Sequence, residues 1–83
     1  MSKRYREPVE VQTTERGAPS AFRWRGAAYR VRGVLGHWRE DAGWWEGGGM
    51  AVPQRDLWRV EVGAGVYELV REGGAWRLDR VWD

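Results

Sequence analysis

Apolar and polar residues alternate along most of the chain with a period of two, which is typical of β-strands. The clearest stretch, residues 22–32, reads F-R-W-R-G-A-A-Y-R-V-R. Because successive side chains of a strand point to opposite faces, this pattern predicts a hairpin with one aromatic face and one basic face. The aromatic face would hold Phe22, Trp24, Tyr29 and Val31, and the basic face would hold Arg23, Arg25, Arg30 and Arg32.

The turn of this hairpin decides which side chains meet across the two strands. With Gly26-Ala27 as a two-residue turn, Trp24 faces Tyr29 and Arg23 lies directly opposite Arg30. Like charges opposed across a ladder destabilise a sheet. We therefore expect the basic face either to take carboxylates from a third strand or to bind an anionic ligand.

The second half of the chain predicts an antiparallel meander over residues 57–62, 66–71 and 75–82. Gly63-Ala64 and Gly73-Gly74 have the composition of two-residue hairpin turns. The two turns independently place the same apolar residues on one inner surface: Trp58, Val60, Tyr67, Leu69, Trp76 and Leu78. The cross-strand pairs that they predict are Val60 with Tyr67, Trp58 with Leu69, Arg59 with Glu68, and Leu69 with Leu78.

These patterns predict an all-β fold, a small SH3-like or OB-like barrel of five to six short antiparallel strands. Residues 7–83 would form this single domain, with a first strand from about Val9 to Thr14 and a bulge or barrel bend at Gly33. Residues 1–6 would form a flexible basic N-terminal arm. Residues 36–54, which contain three tryptophans and three consecutive glycines, would form a long irregular loop.

The composition excludes several kinds of function. The chain has 83 residues, no cysteine and one histidine, so disulfides and a cysteine- or histidine-based zinc site are ruled out. We find no nucleophile–base set and no glycine-rich phosphate loop, so we expect neither catalysis nor a cofactor nor a metal. Paired acids occur at Glu40 with Asp41 and, across the predicted meander, at Glu68 with Asp79, but on exposed strands and loop ends we expect them to be solvated charges. No apolar run suggests a signal peptide or a membrane span, and we expect a cytoplasmic location.

Charge is unevenly distributed along the chain. Residues 1–39 contain nine basic and three acidic residues, a net charge of +6, whereas residues 40–83 have a net charge of −4. Thirteen of the fourteen basic residues are arginine, which makes bidentate contacts to phosphate and stacks on bases better than lysine does. This asymmetry predicts a basic surface on one side of the fold.

The basic hairpin is therefore a candidate nucleic-acid-binding surface. We expect phosphates to contact Arg23, Arg25, Arg30 and Arg32, with help from Arg4 and Arg6 in the N-terminal arm. The competing interpretation is an ordinary solvated face, because a turn that pairs Thr13 with Ser20 would put Glu10 across from Arg23.

The tryptophans of the predicted loop suggest a different function. Adjacent residues of an extended chain point in opposite directions, so one of Trp44 and Trp45 would be exposed unless the loop folds back over the core. With Trp38 they could form a docking surface for a protein partner. A protein-interaction module is thus the alternative to nucleic-acid binding.

Five aromatic blocks follow each other in a fixed order: residues 22–38, W-W at 44–45, W-R-V-E at 58–61, G-V-Y-E-L at 65–69 and W-R-L-D-R-V-W-D at 76–83. In this order the chain resembles a family of short bacterial proteins of unknown function from actinobacteria and Deinococcus-like bacteria. Members of that family are encoded near, or fused to, Y-family-polymerase-like proteins and error-prone polymerase subunits. The resemblance implies a role in DNA repair or translesion synthesis, with DNA or a polymerase-like protein as the partner, and supplies no mechanism.

Overall fold

The computed structural model describes residues 2–41 and 54–82. The described residues form eight β-strands, and no helix occurs among them. The strands are β1 (Ser2–Pro8), β2 (Glu10–Thr13), β3 (Pro19–Trp24), β4 (Ala27–Arg30), β5 (Gly33–Asp41), β6 (Gln54–Val62), β7 (Gly65–Glu72) and β8 (Ala75–Trp82).

Two antiparallel sheets contain all eight strands. The larger has the order β1-β8-β7-β6-β5, and the smaller has the order β2-β3-β4. The all-β class is confirmed, with more strands than the five to six predicted, whereas closure into a barrel stays a prediction. The described residues include no helix with the length and apolar character that a membrane crossing requires.

The meander has the predicted register over most of its length. Val60 pairs with Tyr67, Trp58 with Leu69, and Leu69 with Leu78. One prediction is wrong: a bulge at Asp79 makes Arg80, and not Asp79, the partner of Glu68. The extra residue of a bulge reverses the side-chain alternation beyond it, so Arg80 lies on the outer face with Glu68.

The N-terminal residues differ from the predicted arm. Ser2–Pro8 forms β1, which pairs with β8 at the edge of the larger sheet. Tyr5 points inward, and its ring centroid lies 4.8 Å from that of Trp24 in an edge-to-face contact. This buried contact explains why a basic segment without an apolar run forms a strand.

The predicted loop also begins differently. Gly33–Asp41 is a regular strand paired with β6, and the bulge lies at Leu35 instead of Gly33. Gln54 already belongs to β6. The rest of the predicted loop, with Trp44, Trp45 and the three glycines, lies outside the described residues.

The basic hairpin has a different turn from the one predicted. Arg25 and Gly26 occupy the two turn positions with φ of 52° and 77°, the left-handed conformation that a type I′ hairpin turn requires at both central residues. Trp24 therefore pairs with Ala27, and Arg23 pairs with Ala28 instead of Arg30. The predicted opposition of Arg23 and Arg30 is wrong because the turn lies one residue earlier.

The inner faces of the two sheets share one core. Its buried residues come from both sheets: Phe22, Trp24, Val60, Leu69, Leu78 and Val81. The residues that connect the two sheets are bonded to the larger one: the Val9 amide donates to the Trp76 carbonyl, and the Arg32 amide donates to the Glu61 carbonyl. The outer faces of the two sheets consequently form separate surfaces.

Candidate functional site

Arg25, one of the predicted nucleic-acid-binding residues, forms an internal ion pair. Its Nε donates a hydrogen bond of 3.0 Å to Oε1 of Glu7, and its Nη2 donates to Oε2. Nε1 of Trp24 donates to the same Oε1 at 3.0 Å. The hydrogen bonds, above all the one from Arg25, lower the pKa of Glu7, and Glu7 in turn raises the pKa of Arg25. This guanidinium is thus largely neutralised within the molecule.

The other hairpin arginines have fewer partners. Arg23 lies across from Glu10 in the ladder, as predicted, but within residues 2–41 and 54–82 neither Arg23 nor Arg30 has an ion pair. Nη1 of Arg32 donates a 3.4 Å hydrogen bond to the Gly63 carbonyl. Arg23 and Arg30 project from the outer face of the smaller sheet as diagonal neighbours, each directly opposite an alanine. Their binding of nucleic acid stays a prediction.

Arg4 and Arg6 lie on a different surface, the outer face of the larger sheet. The alternation of side chains gathers further arginines there, and we call this set the arginine face. Its members are Arg4 and Arg6 from β1, Arg55 and Arg59 from β6, and Arg77 and Arg80 from β8. The structure therefore places two of the six predicted residues on the larger sheet and two on the smaller one, with Arg25 in the hairpin turn and Arg32 between β4 and β5. It adds four arginines that the sequence reasoning did not select.

The ladder between β1 and β8 contains an opposed pair of like charges. Arg4 is the direct cross-strand partner of Arg80. In the part of the chain that the structure describes, neither side chain has an ion pair with a carboxylate. Opposed like charges weaken a ladder, so a bound anion would relieve a repulsion that already exists in the free protein.

A depression beside this pair is lined mainly by arginine. Its walls are Arg4, Arg6, Arg55, Arg77 and Asp79. Nε of Arg6 lies 4.0 Å from Oδ1 of Asp79, and Nη2 of Arg77 lies 3.8 Å from Oε2 of Glu72. Both distances exceed hydrogen-bond length. Nε of Arg55 lies 3.6 Å from the same Oε2 of Glu72. Among the described residues that line the depression, arginines outnumber carboxylates by four to one, which suits a phosphate group.

Farther along the same face, aromatic and cationic side chains alternate across the strands. The guanidinium carbon of Arg59 lies 5.1 Å from the ring centroid of Trp38 and 4.8 Å from that of Trp82. Arg80 lies 5.5 Å from the Trp82 centroid. These distances are those of cation–π contacts. The row connects β5, β6 and β8, and its Arg80 end adjoins the opposed Arg4.

Two buried residues lie beneath the arginine side chains. Val70 is fully buried although it belongs to the outer face and lies outside the core cluster. Glu68 is 8% exposed, and its Oε2 lies 3.4 Å from Nη2 of Arg59. Long arginine stems can cover apolar surface while their charged ends stay in water. The contact with Glu68 therefore restricts the position of the Arg59 guanidinium group.

Sequence reasoning missed most of this face for a specific reason. The alternation on β6 does mark Arg55 and Arg59 as outward-facing once Trp58 and Val60 are placed inside. On β8, however, simple alternation from Leu78 puts Arg80 inward, and only the bulge at Asp79 turns it outward. The pairing of β1 with β8, which brings Arg4 to Arg80, has no local signal in the sequence.

The protein-docking residues are only partly described. Trp38 is 47% exposed on β5, an edge strand, and Val34 and Leu35 on the same strand are 44% and 54% exposed. Trp44 and Trp45 lie outside the described residues. Exposed apolar side chains on an edge strand are a feature of interaction surfaces.

His37 lies on the inner face of the β5–β6 pair, opposite to the arginine face. The ring of His37 stacks on Trp58 with centroids 3.6 Å apart, and its Nε2 lies 3.2 Å from Oδ1 of Asp56. Burial raises the pKa of Asp56, but hydrogen bonds from His37 and Arg39 outweigh it and leave the pKa lowered. Among the described residues, no group of three or more histidine, cysteine or acidic side chains is placed to hold a metal ion.

Comparison with known proteins gives a family and no function. The profile of a family described as "Domain of unknown function (DUF6504)" matches residues 1–83. No curated protein and no solved structure shows a significant match to the chain.

Proposed function

Since the chain belongs to the DUF6504 family, whose description states no function, we propose from its surface chemistry that it is a small nucleic-acid-binding module. Phosphates contact the arginine face of the larger sheet, and the depression between β1, β6 and β8 holds the most strongly bound phosphate. Arginine suits this role because its planar guanidinium group makes bidentate contacts to phosphate oxygens.

The opposition of Arg4 and Arg80 is the observation that carries the proposal. The two arginines face each other across the ladder between β1 and β8, and neither has an ion pair in the described part of the chain, although Arg80 also lies across from the buried Glu68 in the ladder between β7 and β8. In the described part of the chain, the contacts of Arg77 Nη2 and Arg6 Nε to carboxylates are long, at 3.8 Å and 4.0 Å. A phosphodiester placed here removes the repulsion and gains several charge-assisted hydrogen bonds.

A biological setting follows from the resemblance to proteins encoded with error-prone polymerases. In that setting the module is a cytoplasmic accessory of DNA repair or translesion synthesis that holds DNA near a polymerase-like protein. The arginine face supplies the physical basis for the first half of this proposal, and the resemblance alone supports the second half.

The test compares two pairs of arginines that lie on different faces. The Arg4→Gln/Arg6→Gln variant changes the arginine face, and the matched Arg23→Gln/Arg30→Gln variant changes the hairpin. Binding to a fluorescently labelled 20-nucleotide DNA is measured by anisotropy over a series of salt concentrations. Loss of the Arg4 and Arg6 side chains should weaken binding. The slope of the logarithm of the binding constant against the logarithm of the salt concentration should become shallower by about 0.7 for each phosphate contact removed.

Two results would contradict this placement of the site. Binding that is undetectable or independent of salt in the wild-type protein would exclude a phosphate-tracking surface. A loss of affinity only in the Arg23→Gln/Arg30→Gln variant would move the site to the hairpin, where the sequence pattern first placed it.

A second candidate function, a protein-interaction module, is favoured by the exposed apolar residues of β5. Val34 and Leu35 lie on an edge strand whose backbone could pair with a partner strand. A Val34→Thr/Leu35→Thr variant should then lose a polymerase-like partner in a pull-down while DNA binding persists. Retention of the partner by this variant would exclude β5 as the docking surface.

A further inference from the structure

We infer that the row of aromatic and cationic side chains on the arginine face selects single-stranded nucleic acid, with the indole of Trp38 stacking on an unpaired base. This inference rests on the proposed function, because it names the class of nucleic acid that the same face binds. It concerns the end of the row that lies on β5, away from the phosphate-binding depression.

The chemistry of the row fits a base more closely than a second phosphate. Trp38 is 47% exposed although it is large and apolar, and its ring lies 5.1 Å from the guanidinium carbon of Arg59. An exposed indole held beside a guanidinium group is a stacking platform that every base can use, because each base has a π-face. Internal bases of a duplex are stacked on both faces and cannot occupy it.

Arg59 contacts the Trp38 platform from the adjacent strand β6. Its guanidinium group lies between Trp38 and Trp82 and near the buried carboxylate of Glu68. Nε of Arg59 is buried and has no hydrogen-bond partner in the described part of the chain. The two cation–π contacts and the contact with Glu68 position the guanidinium group beside the indole before a ligand arrives.

The row of aromatic and cationic side chains adjoins the depression on the outer face of the larger sheet. Arg80 contacts Trp82 in the row and opposes Arg4, which lines the depression. A strand of nucleic acid that crosses β5, β6, β7, β8 and β1 in turn would meet the aromatic platform first and the arginine cluster afterwards. Single-strand-binding surfaces combine base stacking with phosphate contacts, and they therefore bind tightly with little preference for a base sequence.

The experiment separates the contribution of the bases from that of the backbone. Three labelled probes of 20 nucleotides are titrated: single-stranded oligo(dT), a blunt duplex, and an abasic strand that has the phosphates without the bases. Wild-type protein should bind oligo(dT) on the order of tenfold more tightly than the abasic strand. The Trp38→Leu variant should lose this preference and retain the affinity for the abasic strand. The Leu35→Thr variant, which removes another exposed apolar side chain of β5, should keep the preference.

The possible failures have different meanings. Equal binding of all three probes, with loss of binding in Arg4→Gln/Arg6→Gln, would overturn the inference and leave the proposed function standing. A preference for oligo(dT) that survives in Trp38→Leu would likewise overturn the role of this residue. Absence of binding to every probe at low salt would overturn the proposed function itself. Urea unfolding of each variant identifies any loss that comes from a destabilised fold.

Discussion

The indole of Trp38 packs so closely on Gly36 that a Cβ atom at Gly36 would lie only 2.5 Å from Cη2 of the ring. The two residues are two positions apart on β5, so their side-chain positions share the outer face of the larger sheet. Glycine is therefore the residue that lets the indole lie flat near Arg59, its neighbour on the adjacent strand.

Replacement of Gly36 by alanine should displace the Trp38 ring and remove the preference for oligo(dT) over the abasic strand. Gly33→Ala is the matched control, since a Cβ at Gly33 meets nothing within 4 Å. Both variants should unfold in urea within about 1 kcal/mol of the wild type, because the indole can swing away at an exposed edge. Unchanged probe preference in Gly36→Ala would show that the position of the ring is not fixed by this contact.

The ion pair between Glu7 and Arg25 should make stability depend on pH in the acid range. The pKa of Glu7 is lowered in the folded state, first by the hydrogen bond from Arg25. Its contribution is fully present above the ordinary glutamate pKa of about 4.3 and is lost as the pH falls through the lowered pKa of the folded state. In urea titrations between about pH 2 and 7, the free energy of unfolding of Glu7→Gln should therefore fall less at acid pH than that of the wild type. The Glu10→Gln variant should show the same fall as the wild type.

The core should be sensitive to truncation at its centre. Leu69 is fully buried between Trp58 on β6 and Leu78 on β8. Leu69→Ala should lower the free energy of unfolding by about 2–5 kcal/mol through lost burial and the cavity left behind. Thermal unfolding measures the change, and the exposed Leu35→Thr variant provides a comparison that should shift the free energy by less than about 1 kcal/mol. A similar small shift in Leu69→Ala would contradict the assignment of the core.

The register of the basic hairpin should depend on the turn at Arg25 and Gly26. Gly26 has a φ of 77°, a conformation that glycine and asparagine adopt more easily than alanine. Gly26→Ala should cost about 1 kcal/mol of stability, and Gly26→Asn should cost less. Equal costs, measured by urea unfolding, would show that something other than backbone conformation limits this position.

The local alternation of apolar and polar residues was sufficient to predict the strands that pair with their neighbours in the sequence. The meander of β6, β7 and β8 has the predicted pairs because turns of two residues fix the register of the strands on either side. Val60 with Tyr67 and Leu69 with Leu78 are examples. Even here the bulge at Asp79 escaped prediction, since alternation alone does not show where an extra residue enters a strand.

The candidate site depended on contacts between distant parts of the chain. Alternation in the sequence established that the protein is a β-structure with aromatic inner faces and arginine-rich outer faces. Only the tertiary structure decided which arginines meet, because the pairing of β1 with β8 opposes Arg4 to Arg80 and the ion pair with Glu7 neutralises Arg25. The physical reason is that side-chain alternation is a local property of a strand, whereas charge repulsion and ion pairing depend on which strands become neighbours.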